Sequence, residues 1–242
     1  MFKIMYDGRE YHGWQVQDNA VTVQEKIQDA LERILSVREN IVGCSRTDSG
    51  VHANMFCFNM RTDKEIDTSK IVKSLNAVLP DDISVVSCEE ADFNFHARYD
   101  CTSKEYLYLI WNNKSRNPFL TGRALHYPGE INVDLLNEEA KCFLGTHDFS
   151  SFCAADSSVE DKTRTVKNIG FEKNGDLIEF KIEADGFLYN MVRIIVGTLL
   201  DVNSGKIERG KIAEIINRKD RKAAGKTAAA CGLYLNRVNY NK

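Results

Sequence analysis

The sequence predicts an α+β protein with a largely antiparallel sheet. Three observations lead to this prediction: short apolar segments of alternating polarity, amphipathic segments with helical spacing, and a hairpin signal at Asn174-Gly175. Strands and helices alternate irregularly, as in the α+β class. Each half of the 242 residues holds a similar mixture, so we expect two α+β subdomains, 1–115 and 116–242, that divide in the loop-like stretch 112–122.

The elements of the first half follow from local signals. FKIMYDG alternates weakly and ends in Asp-Gly, which is typical of a strand that runs into a turn. Thr22 and Glu25 form a capping-box pattern, and apolar residues at helical spacing after them predict an amphipathic helix. Two strands are expected at 41–47 and 51–61. A second helix should begin with Ser69 as its cap, and ISVVS should be a strand.

The second half repeats these patterns. KEYLYLIWN, rich in aromatic and branched residues, predicts a strand, and VDLLNEEAKCFLG predicts a helix. The segment GFEKNGDLIEFKIEA should form the hairpin around Asn174-Gly175. FLYNMVRIIVGTLLDVNSG predicts a long apolar helix that ends at Gly205. A shorter helix near RGKIAEIINRK and a strand at GLYLNRVNY complete the expected order.

Composition excludes several classes of protein. The seven cysteines are an odd number, widely scattered and without a C-x-x-C spacing, which argues against a disulfide framework or a zinc ribbon. The histidines form no metal-binding motif, so we expect no metal site. No run approaches the roughly 18 apolar residues of a membrane helix. The N-terminus shows no secretory leader, so a cytoplasmic location is the default expectation.

The net charge of −3 counts against a nucleic-acid-binding protein, which usually carries a basic surface. Net charge, however, does not exclude a local basic groove. Two segments concentrate basic residues: KTRTVK, the first basic segment (162–167), and RKDRKAAGK, the second basic segment (218–226). Both are typical of solvated faces, and both would also suit a surface that contacts phosphates around a cleft.

Arg46 and Asp48 interrupt an apolar stretch that otherwise predicts a sheet. In an extended chain these two residues project from the same face, and Gly50 permits a turn that other residues resist. A neighbouring guanidinium would keep Asp48 ionised, and an ionised carboxylate can act as a nucleophile or general base. The alternative is an Asx-type turn with a surface ion pair, which is the commoner meaning of such a sequence.

Tyr106 and Arg193 are the other candidates. Tyr106 lies with Tyr108 on one face of a predicted strand, where aromatic rings are most often core, but one ring could also stack on a nucleobase. Arg193 lies in an apolar helix, and a buried arginine needs a carboxylate or phosphate partner. Its alternative is a side chain whose stem packs while its head reaches water. His52 is a lone histidine of the kind that is more often hydrogen-bonded than catalytic.

Several segments together resemble the TruA family of tRNA pseudouridine synthases. SRTDSGVHA resembles the family motif G-R-T-D-A-G-V-H-A, and YDGREYHGWQVQ resembles the family's N-terminus. SLNAVLPDDISV and FHARYDCTSKEYLYLI are similar to its central segments. FLGTHDFSSF, TRTV, FLYNMVRIIVGTL and CGLYLNRVNY are similar to its C-terminal half. The resemblance covers nearly the whole chain, in order.

The resemblance implies a fold and a function. The family fold has two α+β subdomains that share a mostly antiparallel sheet, with helices on one face and a central active-site cleft. It implies an isomerase that converts uridine to pseudouridine at positions 38, 39 and 40 of the tRNA anticodon stem-loop, without a metal or cofactor, as a homodimer. Asp48 would be the catalytic nucleophile, Arg46 would approach the flipped base and its phosphate, Tyr106 would stack on the uracil, and Arg193 would pair with Asp48.

The chain departs from the family pattern at some positions. Ser45 and Ser49 stand where the motif has Gly and Ala, and the basic residues usual before the tyrosine strand are reduced to CTSKEYLY with an acidic Glu105. A divergent paralogue that modifies other uridines, or a protein that only binds or folds tRNA, is therefore an alternative. A hydrolase that uses Asp48 on a nucleoside or glycoside is another, but no second carboxylate at a defined separation is evident.

Overall fold

A computed structural model of the chain describes residues 1–155, 157 and 159–241. These residues form ten strands and five α-helices. The strands are β1 (Phe2–Tyr6), β2 (Ile41–Gly43), β3 (His52–Met60), β4 (Ile83–Cys88), β5 (Cys101–Trp111), β6 (Leu125–His126), β7 (Gly145–Asp148), β8 (Thr163–Asn174), β9 (Leu177–Ala184) and β10 (Leu233–Tyr240). The helices are α1 (Val23–Leu35), α2 (Thr68–Val78), α3 (Val133–Ala140), α4 (Met191–Asn203) and α5 (Ile212–Arg218).

The predicted α+β class and the mostly antiparallel pairing are confirmed. Of the eight strand pairs whose register is described, two are parallel, β3 with β10 and β5 with β6, and the other six are antiparallel. The chain forms two compact units. Unit 1 comprises Met1–Thr102 with Tyr234–Lys242, and unit 2 comprises Ser103–Leu233. The division thus falls near the start of β5, whereas the sequence led us to expect it in 112–122. The boundary between Thr102 and Ser103 lies inside β5, and a continuous strand shows no loop pattern in the sequence. Most of β10 also belongs to unit 1 although it comes from the far end of the chain.

In unit 1 the strands are ordered β4-β1-β3-β10, and β2 pairs with the outer part of β3. The predicted cap of α1 is confirmed, because the Thr22 hydroxyl accepts a hydrogen bond from the Glu25 backbone N–H at 3.3 Å. Helix α1 packs against α2, and α2 packs on β4. The core contains Trp14 stacked on Phe56, with ring centroids 4.0 Å apart. This core supports the segments that hold the first candidate residues.

Helix α2 begins two residues earlier than the sequence predicted. Asp67, and not Ser69, is its N-cap: one carboxylate oxygen of Asp67 accepts hydrogen bonds from the backbone N–H groups of Ser69 and Lys70, at 3.0 Å each. The Ser69 hydroxyl donates to the same oxygen. Asp and Ser are both good N-caps. The carboxylate prevails here because it satisfies two of the orphan backbone donors at once.

In unit 2 the strands are ordered β5-β9-β8-β7, and β6 pairs with the end of β5. The predicted hairpin is confirmed: Asn174 pairs with Leu177 across a tight turn at Gly175, where φ is 59°. Ile178, Phe180 and Ile182 alternate along β9 and are fully buried. Helix α3 packs on β8 and against α4. None of the helices in the described ranges is long and apolar enough to cross a membrane.

Helix α4 is shorter than the apolar run suggested. It begins at Met191 because Asn190 adopts a left-handed conformation with φ of 61°, which interrupts the helical backbone. Its other end agrees with the prediction, since the chain leaves the helix before Gly205, where φ is 75°. The late start places Arg193 in the first turn of the helix.

Candidate active site

The segment between β2 and β3, residues 44–51, carries Arg46 and Asp48 in unit 1. Pairing continues past β2 to Cys44, whose backbone N–H donates to the Cys57 carbonyl at 2.8 Å. The chain then leaves the sheet and turns back at Gly50, where φ is 74°. The Val51 N–H donates to the Asp48 carbonyl at 3.2 Å and closes the turn. The glycine expected to permit this turn is therefore needed for its backbone conformation.

Thr47 holds this segment against the end of β1 and the region that follows it. Its hydroxyl lies 2.8 Å from the phenolic oxygen of Tyr6, in a buried hydrogen bond, and its carbonyl accepts a bond from the Trp14 N–H at 3.2 Å. Thr47 is only 7% exposed, whereas Arg46 is exposed and Asp48 is half-buried. In an extended chain, neighbours of a buried residue project to the other side. The burial pattern thus agrees with the prediction that Arg46 and Asp48 share a face.

Gly13 makes this close approach possible. A Cβ atom at this position would lie 2.3 Å from the Thr47 carbonyl oxygen, and φ at Gly13 is 87°. A side chain here would meet both backbone strain and steric overlap. Gly50 is held from the same region, since its N–H donates to the Tyr11 carbonyl at 3.1 Å. The segment with Asp48 is thus held by residues about 40 positions earlier in the chain.

The surface ion pair considered for this segment is absent. The Arg46 side chain makes no ion pair or hydrogen bond with any residue that the structure describes, Asp48 included. The guanidinium of Arg46 and the carboxylate of Asp48 therefore form no direct ion pair. The exposed guanidinium is instead available to an external anion.

His52, at the start of β3, is buried and hydrogen-bonded, as expected for a lone histidine. Its ring is 2% exposed, accepts a hydrogen bond at Nδ1 from the Gly8 N–H at 3.1 Å, and stacks on Tyr234 with centroids 4.5 Å apart. Nδ1 also lies 3.1 Å from Oδ1 of Asp7. Burial alone would raise the pKa of Asp7, but hydrogen bonds from Arg9 and the neighbouring His52 ring bring it below its ordinary value.

Tyr106 lies on β5 in unit 2, opposite Ile182 of β9. Its ring is 6% exposed and meets the edge of Phe187 at a centroid distance of 4.9 Å and an angle of 82°. Tyr108 is fully buried, and its hydroxyl donates to the Ala229 carbonyl at 2.8 Å. Burial raises the pKa of Tyr108 well above its ordinary value. Of the two tyrosines that share a strand face, Tyr108 is thus a core residue.

Arg193 is held rigidly in the first turn of α4. Its Nε atom donates to the Ala228 carbonyl at 2.8 Å, and a terminal nitrogen donates to Oδ1 of Asn190 at 2.7 Å. The Ala228 N–H in turn donates to the Arg193 carbonyl at 3.0 Å. The side chain is half-buried. These bonds give the guanidinium one orientation, which favours recognition of a carboxylate or phosphate over free movement in solvent.

The structure therefore places two of the four candidate residues in each unit. Arg46 and Asp48 share one segment of unit 1, whereas Tyr106 and Arg193 lie on β5 and α4 of unit 2. The sequence did not identify Tyr6 or Thr47 as part of the site. Thr47 lies inside the motif that contains Asp48, but nothing local signals its partner. Among the described residues, no group of three or more His, Cys, Asp or Glu side chains is arranged to hold a metal ion.

Most cations of the second basic segment already have partners in the protein. Arg218 and Lys219 form ion pairs with acidic side chains, and Arg221 donates to two backbone carbonyls and a hydroxyl of its own loop. In the first basic segment, Arg164 donates to two backbone carbonyls. In the second basic segment, the exposed cations whose side chains bond to no described residue are Lys222 and Lys226.

Asp148 ties the second basic segment to β7. Its Oδ2 lies 2.9 Å from the Lys219 ammonium, and Oδ1 accepts bonds from the Ser150 hydroxyl and N–H at 2.6 and 2.9 Å. The Ser150 bonds first, and the Lys219 ammonium second, lower the pKa of Asp148 from 3.8 to about 2. A depressed pKa contributes stability that is present above pH 3.8 and is lost as the pH falls through about 2.

Comparison with known proteins agrees with these observations. A family model described as tRNA pseudouridine synthase matches residues 3–100 and 140–241. A tRNA pseudouridine synthase A of Thermoanaerobacter sp. (strain X514) is 46% identical over 240 residues, which is 99% of this chain and 98% of that protein. Proteins of the same name from Bacillus subtilis and Clostridium acetobutylicum are each 43% identical, over 98% and 97% of this chain and 97% and 96% of their own lengths.

Among solved structures, a chain from a crystal structure of a Cbf5-Nop10-Gar1 complex matches 98% of this chain and 58% of its own length. The TM-score is 0.38 and the sequence identity is 12%. A likeness this weak supports no conclusion.

Proposed function

Because this chain belongs to the TruA family of tRNA pseudouridine synthases, it isomerises uridine in tRNA, and we propose that Asp48 is the nucleophile of that reaction. The observation that carries the proposal is the way the Asp48 segment is held. Buried Thr47 is hydrogen-bonded on both its side chain and its backbone, so the next residue has a defined position. A nucleophile needs such a fixed position because small displacements cost large factors in rate.

The proposed reaction begins when the target uridine is extruded from the RNA, at a cost of a few kcal/mol. Asp48 then attacks either C6 of the uracil or C1′ of the sugar. The N1–C1′ bond breaks, the uracil turns, and a new bond forms between C5 and C1′. The bond to Asp48 breaks as well, either when C5 displaces the carboxylate from C1′ or when the carboxylate is eliminated from C6, so Asp48 is regenerated. C5 loses its proton and N1 is protonated, so the product is an isomer of the substrate. No atom is gained from outside the uridine.

Arg46 is proposed to contact the extruded nucleotide and its phosphate. It is exposed and bonds to no other residue in the described parts of the chain, so its guanidinium can bind a phosphate oxygen without first losing a protein partner. It lies two residues before Asp48 and on the same side of the segment. A cation at this point would hold the nucleotide close to the attacking carboxylate.

Arg193 is proposed to pair with Asp48, and Tyr106 to stack on the uracil. Both proposals come from the family resemblance and require the two units to enclose one cleft and share one sheet. Two observations support them: the Arg193 guanidinium is oriented by bonds to Ala228 and Asn190, and a half-buried arginine is best stabilised by a carboxylate or phosphate. The edge contact with Phe187 fixes the orientation of the Tyr106 ring, which supports a positioning role for this residue.

The finer features of the substrate and assembly are part of the same proposal. We place the modified uridines at positions 38, 39 and 40 of the anticodon stem-loop. The chain would act in the cytoplasm as a homodimer in which one tRNA contacts both subunits. The basis is the family resemblance together with near full-length identity of 43–46% to curated relatives.

Pseudouridine mapping on unmodified tRNA tests the proposal. Wild-type protein should form pseudouridine at positions 38–40, and both Asp48→Ala and Asp48→Asn should form none. Asp63→Ala is the matched control, since Asp63 is an exposed aspartate of unit 1 outside the site, and it should retain full activity. Full activity of Asp48→Asn would disprove the nucleophile.

The same assay separates the alternatives. A protein that only binds or folds tRNA would retain tRNA without forming product. A paralogue with another target would form pseudouridine at other positions. A hydrolase would release free uracil, which an isomerase never does, so chromatography of the small-molecule fraction distinguishes that reaction.

A further inference from the structure

The loop between β5 and β6, residues 113–123, carries an exposed aromatic ring and exposed cations that have no role in the proposed reaction. We call it the Phe119 loop. The sequence of this loop, NKSRNPFLTGR, was expected only to separate two subdomains. In the structure it belongs wholly to unit 2 and contains the short 3₁₀ turn Pro118–Leu120.

Hydrogen bonds give the Phe119 loop a defined shape. The Ser115 N–H donates to Oδ1 of Asn113 at 2.8 Å, and the Trp111 indole donates to the Ser115 carbonyl at 2.8 Å. Further along, Oδ1 of Asn117 accepts a bond from the Phe119 N–H at 3.0 Å. These are local side-chain-to-backbone bonds of the kind that define turns. The exposure of Phe119 therefore comes from an ordered loop.

Phe119 is 86% exposed, more than any other large apolar side chain in the described ranges. A single exposed apolar residue is common and is not by itself a site. Its neighbours are the second observation. Lys114 and Arg116 are both exposed, and neither side chain forms an ion pair or hydrogen bond with another residue that the structure describes. Arg123, at the end of the loop, is also exposed.

This combination distinguishes the Phe119 loop from the second basic segment. There, Arg218 and Lys219 are already paired, Arg221 is bonded to its own loop, and no aromatic residue accompanies the two remaining cations, Lys222 and Lys226. In the Phe119 loop, Lys114 and Arg116 can each bind an anion at no cost in lost protein contacts. An exposed aromatic ring beside such cations is the combination that binds single-stranded nucleic acid, because bases stack on the ring while phosphates meet the cations.

We propose that the Phe119 loop is a tRNA-contact surface, on which Phe119 stacks against an unpaired nucleobase other than the modified uridine and Lys114 and Arg116 contact phosphates. This inference rests on tRNA as the substrate. A second copy of the chain is a poorer occupant, because a two-fold symmetric interface places the same patch on both subunits. Like charges would then face each other, which disfavours association.

Phe119→Ala and Phe119→Trp test the stacking. The affinity for unmodified tRNA should fall about tenfold in Phe119→Ala, in the range of alanine substitutions at stacking residues. Phe119→Trp should bind at least as tightly as the wild type, and its indole fluorescence should be quenched by tRNA. An unchanged Kd for Phe119→Ala, or fluorescence of Phe119→Trp that tRNA does not alter, would overturn the inference.

The salt dependence of binding tests the cations separately. Lys114→Ala and Arg116→Ala should each reduce the slope of log K against log salt by roughly one, because each removes one phosphate contact. Phe119→Ala should weaken binding without a change in slope, since stacking releases no counterions. Slopes equal to the wild type in both cation variants would contradict the proposed phosphate contacts.

Phe93→Ala is the matched control. Phe93 is 76% exposed, but the Arg61 guanidinium covers its ring at 4.8 Å, and the acidic residues Glu89, Glu90 and Asp92 precede it. We expect no change in the tRNA affinity of this variant. A loss equal to that of Phe119→Ala would show a nonspecific effect of exposed rings and would refute the proposed surface.

Two further measurements separate the possible failures. Light scattering should give the same molar mass for wild type and Phe119→Ala; dissociation of an oligomer in this variant would assign the loop to a second copy and overturn the inference. Pseudouridine formation by the wild type on the same tRNA is measured first. Absence of that product would count against the proposed function, whereas product formation together with an unchanged Kd for Phe119→Ala would refute only the role of the loop.

Discussion

Removal of the Tyr6 hydroxyl, in Tyr6→Phe, should loosen the segment that carries Asp48. The phenolic oxygen of Tyr6 and the Thr47 hydroxyl are 2.8 Å apart in a buried environment. The net value of such a bond is about 1 kcal/mol, and a buried hydroxyl left without its partner costs about 1–3 kcal/mol. We therefore expect Tyr6→Phe to lower the free energy of unfolding by about 1–2 kcal/mol. We expect kcat to fall by up to about tenfold, which corresponds to 1.36 kcal/mol.

A double-mutant cycle gives the test. Tyr6→Phe, Thr47→Val and the double variant are compared by urea denaturation and by pseudouridine formation at saturating tRNA. The double variant should be less affected than the sum of the singles, with a coupling of about 1 kcal/mol, because it leaves no buried hydroxyl without a partner. Thr47→Ser keeps the hydroxyl and should retain most of the activity. Because both residues are buried, we expect them to act through the position of Asp48 and not through contacts with substrate, so kcat should change while KM stays constant.

Two results would refute this reasoning. Strictly additive effects on stability would mean that the hydrogen bond between Tyr6 and Thr47 does not couple the segment to β1. A rise in KM with constant kcat would mean that Tyr6 acts on substrate binding and not on the position of Asp48.

Three other changes test the remaining contacts. Gly13→Ala should destabilise the protein by about 2 kcal/mol or more, because its methyl group would overlap the Thr47 carbonyl in addition to straining a left-handed backbone. Gly175→Ala has open space around it and should cost only the backbone strain, about 1 kcal/mol. Chemical denaturation measures the free energy of unfolding of both variants. Lys222→Ala should reduce the salt slope of tRNA binding by roughly one, whereas Arg221→Ala should lower the melting temperature and leave that slope unchanged. Asp148→Asn should lower the free energy of unfolding by about 0.5 kcal/mol at pH 7, a value discounted for solvent screening. The difference in this free energy between variant and wild type should vanish as the pH falls from 4 to about 2. A difference that stays constant over that range would contradict the depressed pKa of Asp148.

Local signals predicted most elements of the fold because the physics that forms them is local. The Thr22 cap depends on a hydroxyl and an N–H three residues apart, and both are visible in the sequence. The start of α4 was missed because Phe187 through Asn190 continue an apolar helical pattern while Asn190 adopts a left-handed backbone. Hydrophobic spacing alone does not reveal that one residue leaves the right-handed helical region.

The site was predictable in its residue types but not in its supporting contacts. Arg46 and Asp48 stand out because charged residues interrupt an apolar stretch. The hydrogen bond between Tyr6 and Thr47 depends on how β1 pairs with β3, where the register shifts between Ile4 and Tyr6. A shift in register is a property of the folded sheet, so no spacing in the sequence could show that residues 41 positions apart would meet.

Synthesis of the chain on the ribosome separates β3 from its neighbour β10 in time. Asn54 of β3 donates to Asn236 of β10, which is 182 residues further along, so all of unit 2 is translated before this bond can form. At 5–20 residues per second the delay is on the order of 10 s or more. During it, unit 2 is one contiguous segment, while the start of β3 at His52 and Ala53 lacks the strand that pairs with it, and another nascent chain could pair there. β10 thus both completes unit 1 and covers the start of β3, directly after the segment that carries Asp48.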